Sequence, residues 1–72
     1  MTYTHEMLEK YINNGNARDE AYNYVDADMS NEEIRADIEE CLKDYEFEAA
    51  DDREIYISLI LEAAEKLRKE NK

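Results

Sequence analysis

Ser30-Asn31-Glu32-Glu33-Ile34-Arg35-Ala36-Asp37-Ile38-Glu39-Glu40-Cys41-Leu42-Lys43-Asp44-Tyr45 decides the fold. Ser30 and Glu33 have the spacing of a capping box, a hydroxyl for one orphan amide and a carboxylate returning to another. Ile34, Ile38, Cys41, Leu42 and Tyr45 then recur at steps of four, three, one and three. Those positions fall within an arc of ~100°, the width of a core-facing helical stripe. Phe47 lies well off that arc, so the helix is expected to end near Tyr45 or Glu46.

Upstream, Thr4 is expected to cap a first helix from about His5 to Asn13, with Met7, Leu8, Tyr11 and Ile12 at helical spacing. Asn14-Gly15 stops it, because glycine accepts the left-handed conformation that closes a helix. Asn16 is expected to cap a second helix, roughly Ala17 to Ala27, with Ala17, Ala21, Tyr24 and Val25 on its apolar face. Downstream, Asp51 and Glu54 suggest a second capping box and a fourth helix from Asp52 to about Glu70. Acidic residues open that helix, and Lys66, Arg68, Lys69 and Lys72 close it, which suits the helix dipole. Tyr56, Leu59, Ile60, Ala63 and Leu67 form one apolar face. Ile57, Leu61 and Ala64 form a second, so the helix is either central or in contact with another chain. The expected fold is all-α, a small compact bundle of about four helices with short loops, one acidic domain over residues 1–72.

The 72-residue chain carries a formal net charge of −11. From Asp26 to Glu54 thirteen acidic residues face only Arg35, Lys43 and Arg53, so this segment holds ten of those eleven negative charges. Such a field repels nucleic acid and anionic lipid and attracts basic surfaces. Glu33, Asp37, Glu40 and Asp44 follow one another at four, three and four residues, in line beside the apolar stripe. The line spans ~16 Å of helix axis at ~1.5 Å per residue. Like charges at i,i+4 weaken a helix by ~0.2–0.5 kcal/mol per pair, and only Glu39 with Lys43 has a favourable order and sign. A row of fixed charge of this kind partly substitutes for a phosphate backbone. Glu46, Glu48 and Asp51, with Asp26, Asp28 and Asp52, are expected to thicken it. The expected partner is therefore the basic surface of a nucleic-acid-binding protein, with no direct contact to nucleic acid or membrane. In size and charge alone the chain is similar to small acidic inhibitors of phages and mobile elements, including anti-CRISPR and anti-restriction proteins that act as DNA mimics. The alternative is a non-inhibitory adaptor working through apolar helix contacts, as a homodimer through Ile57, Leu61 and Ala64. A plain solvated acidic face is the competing explanation of the charge run.

Other constellations are weaker. Asp26-x-Asp28-x-Ser30 followed by Asp37 has some of a calcium loop's oxygens. It lacks the glycine at position 6 and the long glutamate at position 12. Ser30 sits between Met29 and Asn31, unlike the Asp-Ser-Leu of acyl carriers. His5 and Cys41 do not suffice for a zinc site. His5 is expected to be an exposed first-turn residue. Cys41, on the apolar arc, is expected to pack in the core and, being alone, forms no intrachain disulfide. Tyr3 and Tyr22 are the tyrosines expected at the surface. No Gly-rich phosphate loop and no Ser/His/Asp order appears, so no enzyme activity, cofactor or metal is expected. The opening residues lack a basic stretch followed by an apolar one, and the Ile55–Leu61 run is too short to span a bilayer. A cytoplasmic location is the resulting expectation.

Overall fold

A computed structural model describes residues 2–70. The order of elements is β1 (Thr2–Tyr3), α1 (His5–Asn13), α2 (Asn16–Asp26), α3 (Asn31–Leu42), β2 (Glu46–Phe47) and α4 (Asp52–Glu70). The protein is a small all-α bundle with short loops, as its periodicity predicts. Lys72 lies outside the described residues. No helix among them is long and apolar enough to cross a membrane.

Local chemistry sets the helix ends. Thr4 Oγ1 accepts a hydrogen bond from the Met7 amide at the start of α1. Ser30 and Glu33 close the full capping box of α3, with Glu33 N to Ser30 Oγ at 3.2 Å and Ser30 N to Glu33 Oε1 at 3.1 Å. The α1–α2 junction departs from expectation. Gly15, at φ 71, is itself the residue before α2, and Asn16 is already helical. One left-handed glycine thus reverses the chain, leaving no role for an asparagine cap. At the far end of α2, Asp28 adopts φ 57. The Asp28 amide donates to Val25 O at 3.0 Å and the Met29 amide to Tyr24 O at 3.2 Å. This is the paired ending of a Schellman motif, with aspartate where glycine is usual.

α4 is the central helix. It packs most extensively on α2, then α3, and more lightly on α1. The core joins Tyr11, Ala21, Ile34, Ile38, Leu42, Ile57, Ile60, Ala64 and Leu67. Complete burial of an isoleucine contributes roughly 1.5–3 kcal/mol, and Ile34, Ile57 and Ile60 are completely buried. Most of both apolar faces of α4 is therefore packed within the chain, with Leu59 half-buried outside the core cluster. Of the residues expected at a homodimer contact, Ile57 and Ala64 have no exposed surface, and Leu61 is half-buried against the core.

Two further expectations change. α3 stops at Leu42, three residues early, because residues 46–47 leave to form a parallel ladder with residues 2–3. Thr2 pairs with Glu46 and Tyr3 with Phe47, and the Glu48 amide donates to Tyr3 O at 3.0 Å. Tyr3 is consequently half-buried rather than exposed. Its ring lies 5.1 Å from Phe47, 5.7 Å from Tyr56 and 6.2 Å from Tyr45. Tyr22 is exposed, as expected. Cys41 is exposed, not packed. Its angular position matches Ile34, but at its level the space between α3 and α2 is left open.

Candidate functional site

The capping box and the apolar stripe of α3 together fix which way its carboxylates point. With Ile34, Ile38 and Leu42 held in the core, Glu33, Asp37, Glu40 and Asp44 are all exposed. Their partners differ. Glu33 accepts from the Ser30 amide, and that bond holds its carboxyl below the usual range. This is opposite to the rise expected from crowding alone. Asp37 Oδ2 accepts the Tyr24 hydroxyl at 2.7 Å. Glu40 pairs with Lys43, which corrects the expected Glu39–Lys43 pair. Asp44 meets no lysine or arginine among the described ion pairs.

The segment's arginines are drawn to another flank. Arg35 bridges Glu39 at 2.8 Å and Glu54 at 2.7 Å, and Arg53 approaches Glu39 at 3.9 Å. Glu54 turns to Arg35 and not back to Asp51, so the second capping box is replaced by a tie between α3 and α4. This network neutralises Glu39 and Glu54 and leaves the ridge alone. Glu46, Glu48 and Asp51 are exposed on β2 and the loop before α4. Glu46 and Glu48 flank the inward Phe47 and so share one outer side. Glu48 makes a minor contribution to raising the His5 pKa through its charge. Asp52 leaves the acidic surface altogether. It is buried, and its carboxylate faces His5. Asp28 and Ser30 serve the α2–α3 turn. Among the described residues no group of three or more His, Cys, Asp or Glu side chains is placed to hold a metal ion.

Beside the ridge lies a cavity of about 330 Å³, bounded by Glu20, Asn23, Tyr24, Ile38, Cys41 and Tyr56. The Tyr24–Asp37 hydrogen bond joins it to the ridge. Tyr56 donates to Glu20 Oε1 at 3.3 Å and stacks on Tyr11, with ring centroids 4.7 Å apart. Burial pushes the Tyr56 phenol up to about 12, and burial likewise raises Tyr11 and Tyr24, with the Glu20 charge a later cause in each case. The phenols therefore stay protonated at neutral pH and act as donors. Among the described residues the buried Tyr11 hydroxyl has no hydrogen-bond partner. Sequence reasoning missed this cavity because Glu20 and Asn23 lie off the apolar face of α2. The available signal was Glu20-x-x-x-Tyr24, an i,i+4 pair.

Comparison with protein-family models, with curated proteins and with solved structures finds no match.

Proposed function

We propose that the chain is a non-catalytic binding protein that lays its α3 ridge on the basic surface of a nucleic-acid-binding protein and inhibits it by occupying the nucleic-acid site. One observation carries the reading. Among the described residues, only Glu40 of the four exposed ridge carboxylates has a cationic partner. Arg35 and Arg53, the two arginines of the acidic segment, are engaged by Glu39 and Glu54. A row of exposed carboxylates on α3 (Glu33, Asp37, Glu40) that continues into the turn after it (Asp44) is suited to displacing phosphates from a cationic groove. The role fits an acidic inhibitor of the anti-CRISPR or anti-restriction kind, of phage or mobile-element origin. The adaptor alternative loses Ile57 and Ala64 to the core, and nothing else favours it.

The test is a salt-eluted capture from lysate of the native host, followed by a nucleic-acid-binding assay on the captured protein. The wild-type chain should displace nucleic acid from it, and the E40K/D44K variant, with helical content retained, should not. Equal displacement by the two forms would falsify the reading.

A further inference from the structure

We infer that the cavity between α2, α3 and α4 receives one arginine side chain of that basic partner. The inference rests on the proposed function and makes it specific to a residue type. At about 330 Å³ the cavity is at the lower end of ligand sites, with room for a single long side chain.

The chemistry of the lining is one-sided. Among the described residues Glu20 is its charged group, and no lysine, arginine or histidine borders it. The Tyr24 hydroxyl is engaged by Asp37 and the Tyr56 hydroxyl by Glu20. Tyr56 already stacks on Tyr11 and meets Tyr3 edge-on, so the ring surface left for an occupant is chiefly that of Tyr24. Glu20 receives the Tyr56 bond on Oε1. A carboxylate has about four acceptor positions, so several remain. Asn23 adds an amide oxygen. Ile38 and Cys41 supply an apolar floor and rim. An occupant must therefore combine a slender apolar stem with a cationic head rich in N–H donors. An anionic or wholly apolar group would desolvate Glu20 without compensation. Between the two cationic side chains, guanidinium is favoured. It stacks on aromatic rings, bonds carboxylates through two N–H groups and is more weakly hydrated than ammonium. The position of the cavity supports the assignment, because Asp37 links its Tyr24 wall to the ridge. A partner seated on the ridge would carry its side chains to the cavity mouth.

The test uses the ¹⁵N-labelled chain titrated with N-acetyl-arginine methylamide, with the lysine and norleucine analogues alongside. Arginine should shift the amides of the six lining residues and bind about threefold more tightly than lysine, the preference ring stacking gives. Norleucine should have no effect. Glu20→Gln should weaken the arginine response roughly tenfold, the value of a charge-assisted bond. Cys41→Phe, which fills the cavity from its rim, should abolish it. Arginine and lysine shifts spread alike along α3, or unaltered by both variants, would overturn the assignment. Polylysine titrated into the same samples separates the two claims. It should bind wild type and Glu20→Gln equally and E40K/D44K poorly. Binding indifferent to E40K/D44K removes the ridge, whatever the arginine titration shows.

Discussion

His5 Nδ1 lies 3.0 Å from Oδ2 of Asp52, joining residues 47 apart in sequence. Asp52 is the one charged side chain among the described residues that is buried. Its partner stands at the first turn of α1, half exposed, with Nε2 3.3 Å from Glu9. The pair clamps α1 to the start of α4 and explains why an aspartate is accepted in the interior at all.

That clamp predicts a pH dependence near neutrality. The bond to Asp52, and then its charge, raise the His5 pKa, with smaller support from Glu9 and Glu48. A raised histidine pKa means stabilisation that is complete below the unfolded value of about 6.5 and is lost as pH rises through the folded value. The melting temperature should therefore fall as pH climbs from about 6 to 8. In His5→Gln, which keeps a donor but does not titrate, that slope should vanish. A slope unchanged in the variant would assign it to other groups.

Glu33 has the opposite sign. Its depressed pKa gives stability present above the unfolded carboxylate value and lost as pH falls through the folded one. Ser30→Ala should cost about 1 kcal/mol at pH 7, read by urea unfolding. The cost should shrink in acid, where protonated Glu33 no longer completes the box.

Asp28→Gly should stabilise the chain by about 0.5–1 kcal/mol. Glycine enters the left-handed region at φ 57 without the Cβ penalty that aspartate carries there. Gly15→Ala should cost roughly 1 kcal/mol, although an added Cβ would meet nothing within 4 Å. The cost is then purely conformational, and calorimetry of the two variants should give shifts of opposite direction.

Ile57→Ala should destabilise by about 2–5 kcal/mol in denaturant melts. Met7→Ala, at a residue 40 % exposed, should stay within about 0.5 kcal/mol. An Ile57→Ala variant that kept its stability but lost self-association in sedimentation would restore the dimer interface that the buried position of Ile57 argues against.

Binding through the ridge should weaken steeply as salt rises, since exposed charges are screened beyond about 8 Å at physiological ionic strength. The melting temperature of the free chain should rise over the same range, because like charges along α3 are relieved. Affinity indifferent to salt would place the contact on apolar surface instead.

The four helices were legible because each carries its own period. Thr4 caps α1, the Ser30–Glu33 box opens α3 and an acidic-to-basic gradient runs along α4, whereas α2, without a side-chain cap, rested on its period and the Gly15 turn. The ladder was not legible, because two residues per strand leave no alternation to read, and its partners lie far apart in sequence. The outward placement of Glu33, Asp37 and Glu40 followed from their spacing beside Ile34, Ile38 and Leu42, whereas Asp44 falls in the turn after α3, where that spacing no longer applies. Which carboxylates stay uncompensated did not follow. Arg35 chooses between Glu39 and any other neighbour only once α4 has delivered Glu54. Cys41 was misplaced for a related reason. Helical angle gives the direction of a side chain but not whether a neighbouring helix reaches far enough to cover it.

The tyrosine at residue 3 and the phenylalanine at residue 47 shut a circle of chain that encloses three helices. Closing a circle of that size costs about 3 kcal/mol of chain entropy, recovered only when the aromatic rings meet. The helical turns need no such closure. During folding the leading segment should therefore be the last to dock, and in the native ensemble the first to let go.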